Sequence, residues 1–230
     1  MTRAVHVAYA RRRGYELQDF FGLAVPPFPL LTRVWRLNEA AASAVLPHDW
    51  FVYLDADALV YDDRCTFEEL IANRSGASYA ALFCADPMGY RGHHVNAGVF
   101  LANLNHPLAQ PLACTWRRRL AWDAWRRDAA VIHLFHSLVL RRPPRRWVDD
   151  QRVLHGILED FGPRYPSLYQ AVPVDVCTFN GKGGTLVRHV FGGKLGPEGK
   201  LGKQAAMRQT LAEREHVART PLRCTSRLAH

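Results

Sequence analysis

Residues 50–63, WFVYLDADALVYDD, run a block of apolar and aromatic residues straight into two aspartates spaced one apart, with two more acids just beyond. The first half reads as a buried strand, because WFVYL is aromatic and β-branched with no polar face. The second half loads the end of that strand with charge. On an extended backbone residues i and i+2 face the same side, so Asp55 and Asp57 are expected to aim both carboxylates at one point beyond the strand. Two like charges held that close need a cation between them. Hard oxygen ligands suit Mg²⁺ or Mn²⁺, which keeps several waters and usually completes its shell with substrate phosphates. The competing reading is a solvated turn with caps. Asp62 and Asp63 read as turn residues on the solvent side.

The flanking sequence alternates helices and strands. Residues 3–13 have helical spacing and stop at Gly14; TRVWRLNEAAASAVL, residues 32–46, has a helical period closed by Pro47. Thr66 and Glu69 form a capping-box pattern that predicts a helix from Thr66 to near Gly76, followed by the strand SYAALFCA. VNAGVFLANL is apolar and β-branched around a glycine, and PLAQPLACTWRRRLAWDAW follows as an amphipathic helix. WVDDQRVLHGILEDFG places Asp149 and Asp150 at a helix N-terminus. AVPVDV and TLVRHVFGG read as short strands, and a basic helical tail occupies about 203–230. This order predicts an α/β fold with a mostly parallel central sheet flanked by helices on both faces, and ligands at the carboxyl ends of its strands.

A chain of 230 residues with 48% apolar content is read as one domain spanning 1–230. Its net charge of +9 would suit nucleic acid, an anionic membrane or a phosphorylated substrate. The basic residues lie in runs that aromatic residues do not interleave, as on solvated faces, and acids at the cleft repel phosphate unless a metal is present. No nucleic-acid partner is expected. Cys65, Cys84, Cys114, Cys177 and Cys224 show no C-x-x-C pair, which argues against structural zinc and leaves room for one or two bridges. No stretch approaches the ~20 apolar residues of a membrane span.

A second constellation lies far along the chain. In LVRHVFGGKLG, His189 is followed by Gly192, Gly193 and Lys194. A lone histidine is usually structural. Here glycines would let backbone approach a diphosphate, Lys194 would place a charge on it, and His189 would offer a nitrogen to the same metal as Asp55 and Asp57. His93 and His94 read as an exposed loop pair, with an acceptor-side or metal-adjacent pair as the alternative.

Taken in order, AYARRRGYEL, VWRLNEA, DWFVYLDADALV, VNAGVFLANL, WVDDQRVLHGIL and RHVFGGK resemble the motifs of the GT-A glycosyltransferases. The resemblance is greatest to the galactosyl- and xylosyltransferase-like family that includes the xyloglucan xylosyltransferases and the yeast α-mannan galactosyltransferases. It spans about residues 5–200. It implies a GT-A, Rossmann-like domain that transfers a hexose or pentose from a UDP-sugar to a hydroxyl of a glycan or glycoprotein, with retention. It further implies Asp55, Asp57 and His189 as ligands to Mn²⁺ or Mg²⁺, and Lys194 with Gly192 and Gly193 on the diphosphate. Gln151 would lie near the reacting carbon, with Asp149 or Asp150 orienting sugar hydroxyls; capping of the helix is the alternative for one of these acids. Asn96 and Gly98 would border the donor sugar, or Gly98 would serve packing alone.

Three departures from the family pattern stand out. The family's first strand, ahead of the opening helix, is expected either to precede the first residue of this chain or to be lost, and its loss would expose a sheet edge and part of the uridine pocket. The asparagine-Ser/Thr-glycine segment reads NAG, and the family's lysine before the metal strand appears as Arg33 or Arg36. The alternative function is therefore a non-catalytic GT-A-like binding protein. Family members are Golgi-lumenal with an N-terminal anchor, which is the expectation if an anchor precedes this chain; otherwise the expectation is cytoplasmic. A homodimer or a complex with other glycosyltransferases is the expected assembly.

Overall fold

The computed structural model describes residues 2–19, 31–43, 48–86, 95–127, 150–173, 176–180, 184–190 and 206–214. Helix α1 (Thr2–Arg13) stops at Gly14, whose φ of +71° is the left-handed conformation that ends a helix without a side-chain penalty. Helix α2 (Leu31–Ala42) is shorter than its sequence period suggests, and residues 44–47 lie outside the described residues. Strand β1 (Trp50–Leu54) and strand β2 (Ala58–Val60) follow. Helix α3 (Phe67–Asn73) starts as its capping box requires: Glu69 N–H donates to Thr66 Oγ1 at 3.0 Å, and Thr66 N–H donates to Glu69 Oε2 at 2.9 Å.

Strands β3 (Ala81–Ala85) and β4 (Val95–Asn103) lead into helix α4 (Ala109–Arg127). Helix α5 (Asp150–Phe161), strand β5 (Gln170–Val172), strand β6 (Val187–His189) and helix α6 (206–214) complete the described chain.

The main sheet has the order β1-β4-β3-β5, and β2 pairs with β6 apart from it. The expectation of a mostly parallel sheet is corrected at this point. Among the described residues β3–β5 is the one parallel ladder; β1–β4, β3–β4 and β2–β6 are antiparallel. The cause is the length of one connection. Only residues 86–94 separate β3 from β4, fewer than the roughly dozen that a parallel crossover needs, so β4 must return antiparallel. Strands β1, β3 and β5 still run the same way, with β4 opposing them. The carboxyl ends of β1 and β3 therefore lie beside the amino end of β4.

Helices cover both faces. On one, Val34 and Leu37 of α2, Trp116 and Leu120 of α4, and Leu154 and Ile157 of α5 pack on Phe83 and Phe100. On the other, Tyr9 of α1 and Phe67 and Leu70 of α3 pack with the β2–β6 pair on Leu82 and Leu101. Truncating a fully buried ring such as Phe100 costs about 3–5 kcal/mol at sites of this kind. A bridge between Cys84 and Cys177, with Cα atoms 5.8 Å apart, ties the chain after β5 to the end of β3. Strand β1 is an edge of the described sheet, and all five of its residues are half-buried.

One irregularity positions the site. Phe83 faces Phe100 across the β3–β4 ladder, but the next residue, Cys84, faces Asn96. Residues 97–99 of β4 thus bulge out of register with β3 while β1 still pairs with Val99. The bulge reverses which residues face each core: Val95 and Ala97 share a side with Phe100 and Ala102. It also leaves backbone groups that the β3 ladder no longer pairs.

Candidate metal centre

Strand β1 ends at Leu54 and the chain turns at once, with Ala58 N–H donating to Asp55 O at 2.9 Å. Asp55 and Asp57 converge through this turn, and not through strand alternation as the sequence reasoning assumed. The turn is pinned from both sides: Asp55 N–H donates to Gly98 O at 2.8 Å, and Val190 N–H donates to Asp57 O at 2.9 Å. The β2–β6 ladder sets Ala58 opposite His189, which brings a residue 132 positions away beside the aspartates.

His189 Nε2 lies 3.0 Å from Asp57 Oδ1 and 3.8 Å from Asp55 Oδ2. One ligand atom from each of Asp55, Asp57 and His189 falls within 4.8 Å of the others, so the three could hold a metal ion. Two carboxylate oxygens and one imidazole nitrogen fit Mn²⁺ or Mg²⁺ by ligand type. The imidazole is 4% exposed and lies against β4 where that strand has a glycine. A Cβ on Gly98 would stand 2.8 Å from His189 Nδ1 and 2.9 Å from Asp55 Oδ2, closer than such atoms approach. The space beside Gly98 thus holds the histidine ring, in keeping with the packing alternative for this glycine.

Arg33 organises the rear of the site. Its Nη1 donates to Ala97 O at 2.7 Å and lies 3.5 Å from Asp55 Oδ1, while its Nε is 2.5 Å from Asp150 Oδ2. Arg36 instead pairs with Glu39 on the surface. Of the two arginines that could stand for the family's lysine, Arg33 is the one at the site. Asp150 is 2% exposed, and its carbonyl accepts from Trp116 Nε1 at 3.0 Å. Tyr53 O–H donates to Asp55 Oδ1 at 2.8 Å, and burial, reinforced by the Asp55 charge, raises the phenol pKa well above its ordinary value. The phenol stays neutral and remains a donor.

Gln151 spans two strands. Ala97 N–H donates to Gln151 Oε1 at 3.1 Å, and Gln151 Nε2 donates to Asp86 Oδ2 at 3.1 Å. Ala97 thus has its N–H bonded by Gln151 and its carbonyl by Arg33, the two groups that the bulge removes from the β3 ladder. Gly98 N–H donates to Asn96 Oδ1 at 2.9 Å, which stiffens the same bend. Asp149, Gly192, Gly193, Lys194, His93 and His94 lie outside the described residues.

Sequence reasoning missed three members of the site. Asp86 follows an apolar strand as Asp55 does, and that shared pattern could have marked it. Tyr53 looked like part of the strand alone. Asn180, whose Oδ1 is 2.8 Å from His189 Nδ1, carried no signal in its neighbourhood.

No protein-family model matches the sequence, and no curated protein matches it. Among solved structures, the chain is similar to a glycosyltransferase involved in the glycosylation of the major capsid of PBCV-1. The TM-score is 0.56 at 16% identity, covering 92% of this chain and 90% of that one. The fold is similar to that of the GT-A glycosyltransferases. Mouse xyloside xylosyltransferase 1 overlaps less, with a TM-score of 0.38 at 16% identity over 78% of this chain and 61% of that one. In the GT-A-like sheet Asp55 and Asp86 both follow the carboxyl ends of strands, the edge where ligands bind in sheets of this class.

Proposed function

We propose that the chain is a metal-dependent glycosyltransferase that moves a hexose or pentose from a UDP-sugar to a hydroxyl of a glycan or glycoprotein, with retention. The convergence of Asp55, Asp57 and His189 at the carboxyl end of β1 is the observation that carries this reading. Asp55, Asp57 and His189 would hold Mn²⁺ or Mg²⁺. Such an ion, when bound, offsets the negative charge that gathers on UDP as the glycosidic bond breaks.

The remaining steps fall to the chain's own residues. Lys194 supplies a further positive charge to the diphosphate, and Gly192 and Gly193 allow close backbone approach. Arg33, 3.5 Å from Asp55, eases the repulsion between the aspartates. The acceptor oxygen bonds to the anomeric carbon as the bond from that carbon to the diphosphate oxygen breaks, and the hydroxyl proton passes to the departing UDP. Gln151 borders the reacting carbon, and Asp149 orients sugar hydroxyls. Asp150, buried and paired with Arg33, acts as a positioning residue. The Cys84–Cys177 bridge supports an oxidising compartment such as the Golgi lumen.

Calorimetric titration of UDP with and without Mn²⁺, on the wild-type chain and on Asp57→Ala, tests the reading. Binding that needs both Mn²⁺ and Asp57 is expected. A folded protein that binds no UDP under either condition would be a non-catalytic GT-A-like binding protein.

A further inference from the structure

Asn180 is 5% exposed, and its Oδ1 lies 2.8 Å from His189 Nδ1. Its Nδ2 donates to Asn96 O at 3.0 Å and to Val99 O at 3.1 Å. Both carbonyls flank the bulged stretch of β4, where the β3 ladder is interrupted and a side-chain donor is needed. Turning the amide over would set its oxygen against two carbonyl oxygens. The orientation of Asn180 is therefore fixed by chemistry.

That orientation determines where the proton of His189 sits. Asn180 Oδ1 is an acceptor only, so the His189 Nδ1 that lies 2.8 Å from it must be the donor. A neutral imidazole has one N–H. With that proton on Nδ1, the lone pair of Nε2 points toward Asp57 Oδ1 at 3.0 Å and Asp55 Oδ2 at 3.8 Å. Three electron-rich atoms facing one another are held together by a positive charge, either a proton shared between Nε2 and Asp57 or a metal ion that all three can ligate.

We infer that Asn180 is a positioning residue that holds His189 in the Nδ1–H tautomer and so makes Nε2 a metal-ligating atom. The inference rests on the metal-site reading above. Three features hold Asn180 rigid: its two carbonyl partners, the fully buried Phe179 before it, and Cys177 three residues back, bridged to β3. An outer partner that fixes a ligand imidazole in this way typically changes metal affinity about 10–100-fold when removed. Replacement by alanine removes the acceptor for Nδ1–H.

The test uses the whole chain and Mn²⁺ alone, without nucleotide. ¹⁵N NMR of the histidine side chains in the metal-free protein, at a pH where the ring is neutral, reads the tautomer directly. The expected result is His189 protonated on Nδ1 in the wild-type chain. Mn²⁺ affinity should fall about 10–100-fold in Asn180→Ala. A neutral wild-type ring protonated on Nε2 overturns the inference, as does a folded Asn180→Ala that binds Mn²⁺ as tightly as wild type. The tautomer measurement needs no variant and so decides the matter even if Asn180→Ala fails to fold. Mn²⁺ binding without UDP binding would overturn the donor reading alone; absence of Mn²⁺ binding in the wild type would overturn both.

Discussion

Two pairs of aspartates stand within one short stretch, Asp55 with Asp57 and Asp62 with Asp63, and the fold treats them in opposite ways. The first pair faces the imidazole of His189, with Arg33 3.5 Å from Asp55. The second pair is saturated with arginine. Asp63 Oδ2 lies 2.8 Å from Arg12 Nη1 and 3.0 Å from Arg214 Nη2, and Asp62 Oδ2 is 2.7 Å from Arg64 Nη2. The sequence reading placed Asp62 and Asp63 on the solvent side. Asp62 does bond within its own turn, accepting from Arg64 N–H at 3.0 Å, but Asp63 joins α1, the β2 end and α6, with Arg13 Nη2 donating to the Asp63 carbonyl at 2.6 Å. A carboxylate pair acquires its role from the cations that tertiary structure brings to it. Guanidinium groups complete a structural joint, whereas an imidazole leaves a site for a metal ion.

The sharpest way to break this comparison is to remove one acid from each pair. Asp57→Ala should abolish Mn²⁺-dependent UDP binding in calorimetry, while Asp63→Ala should leave it intact. Loss of binding in both variants would mean that the joint is part of the site. Next in size is Arg33→Met, which removes the guanidinium 2.5 Å from buried Asp150. A loss of about 3–5 kcal/mol in a urea melt is expected, and an unchanged midpoint would show that Asp150 is satisfied in another way.

Gly98→Ala sharpens the first pair further. The added methyl must displace the His189 ring, so Mn²⁺ affinity should drop about 10–100-fold in a protein that still folds. Unchanged affinity would remove Gly98 from the account of the site. For the second pair, Asp63→Asn should cost about 1 kcal/mol of stability in the same melts, because the contacts to Arg12 and Arg214 are partly solvated.

The smallest effect concerns His6 of α1, which has a backbone hydrogen bond to Ala58 and the charges of Asp19 and Arg214 nearby. Burial, the main cause, lowers its pKa below the ordinary 6.5. The unfolded chain therefore binds the proton more readily, so this contribution to stability is present above about pH 6.5 and is lost as pH falls through the lowered folded value. His6→Gln should flatten that part of the stability profile; an identical slope would dismiss His6 as its source.

Much of the layered architecture was legible because it is local. Gly14 at positive φ, the Thr66–Glu69 box and the apolar runs of β1, β3 and β4 follow from spacing and residue type. The direction of β4 was not legible from the alternation of elements. It depends on the short 86–94 connection, and a buried apolar strand reads the same in either direction. Within the site, the acids of the D-x-D segment and His189 could be named in advance, because ionisable groups beside apolar strands are conspicuous. Asn180 could not, since an amide in a loop gains a role only from the ring that happens to lie against it.

The sequence by itself determined which segments form helices and strands, that carboxylates crowd the end of β1, and that Gly98 offers a place for close approach. Those are properties of neighbours along the chain. Tertiary structure alone decided that His189 joins Asp55 and Asp57, that Arg33 rather than Arg36 reaches Asp150, and that Arg12 and Arg214 neutralise Asp63. The physical reason is that electrostatic and hydrogen-bond energies depend on distances of a few ångströms across the fold, and separation along the chain does not fix such distances.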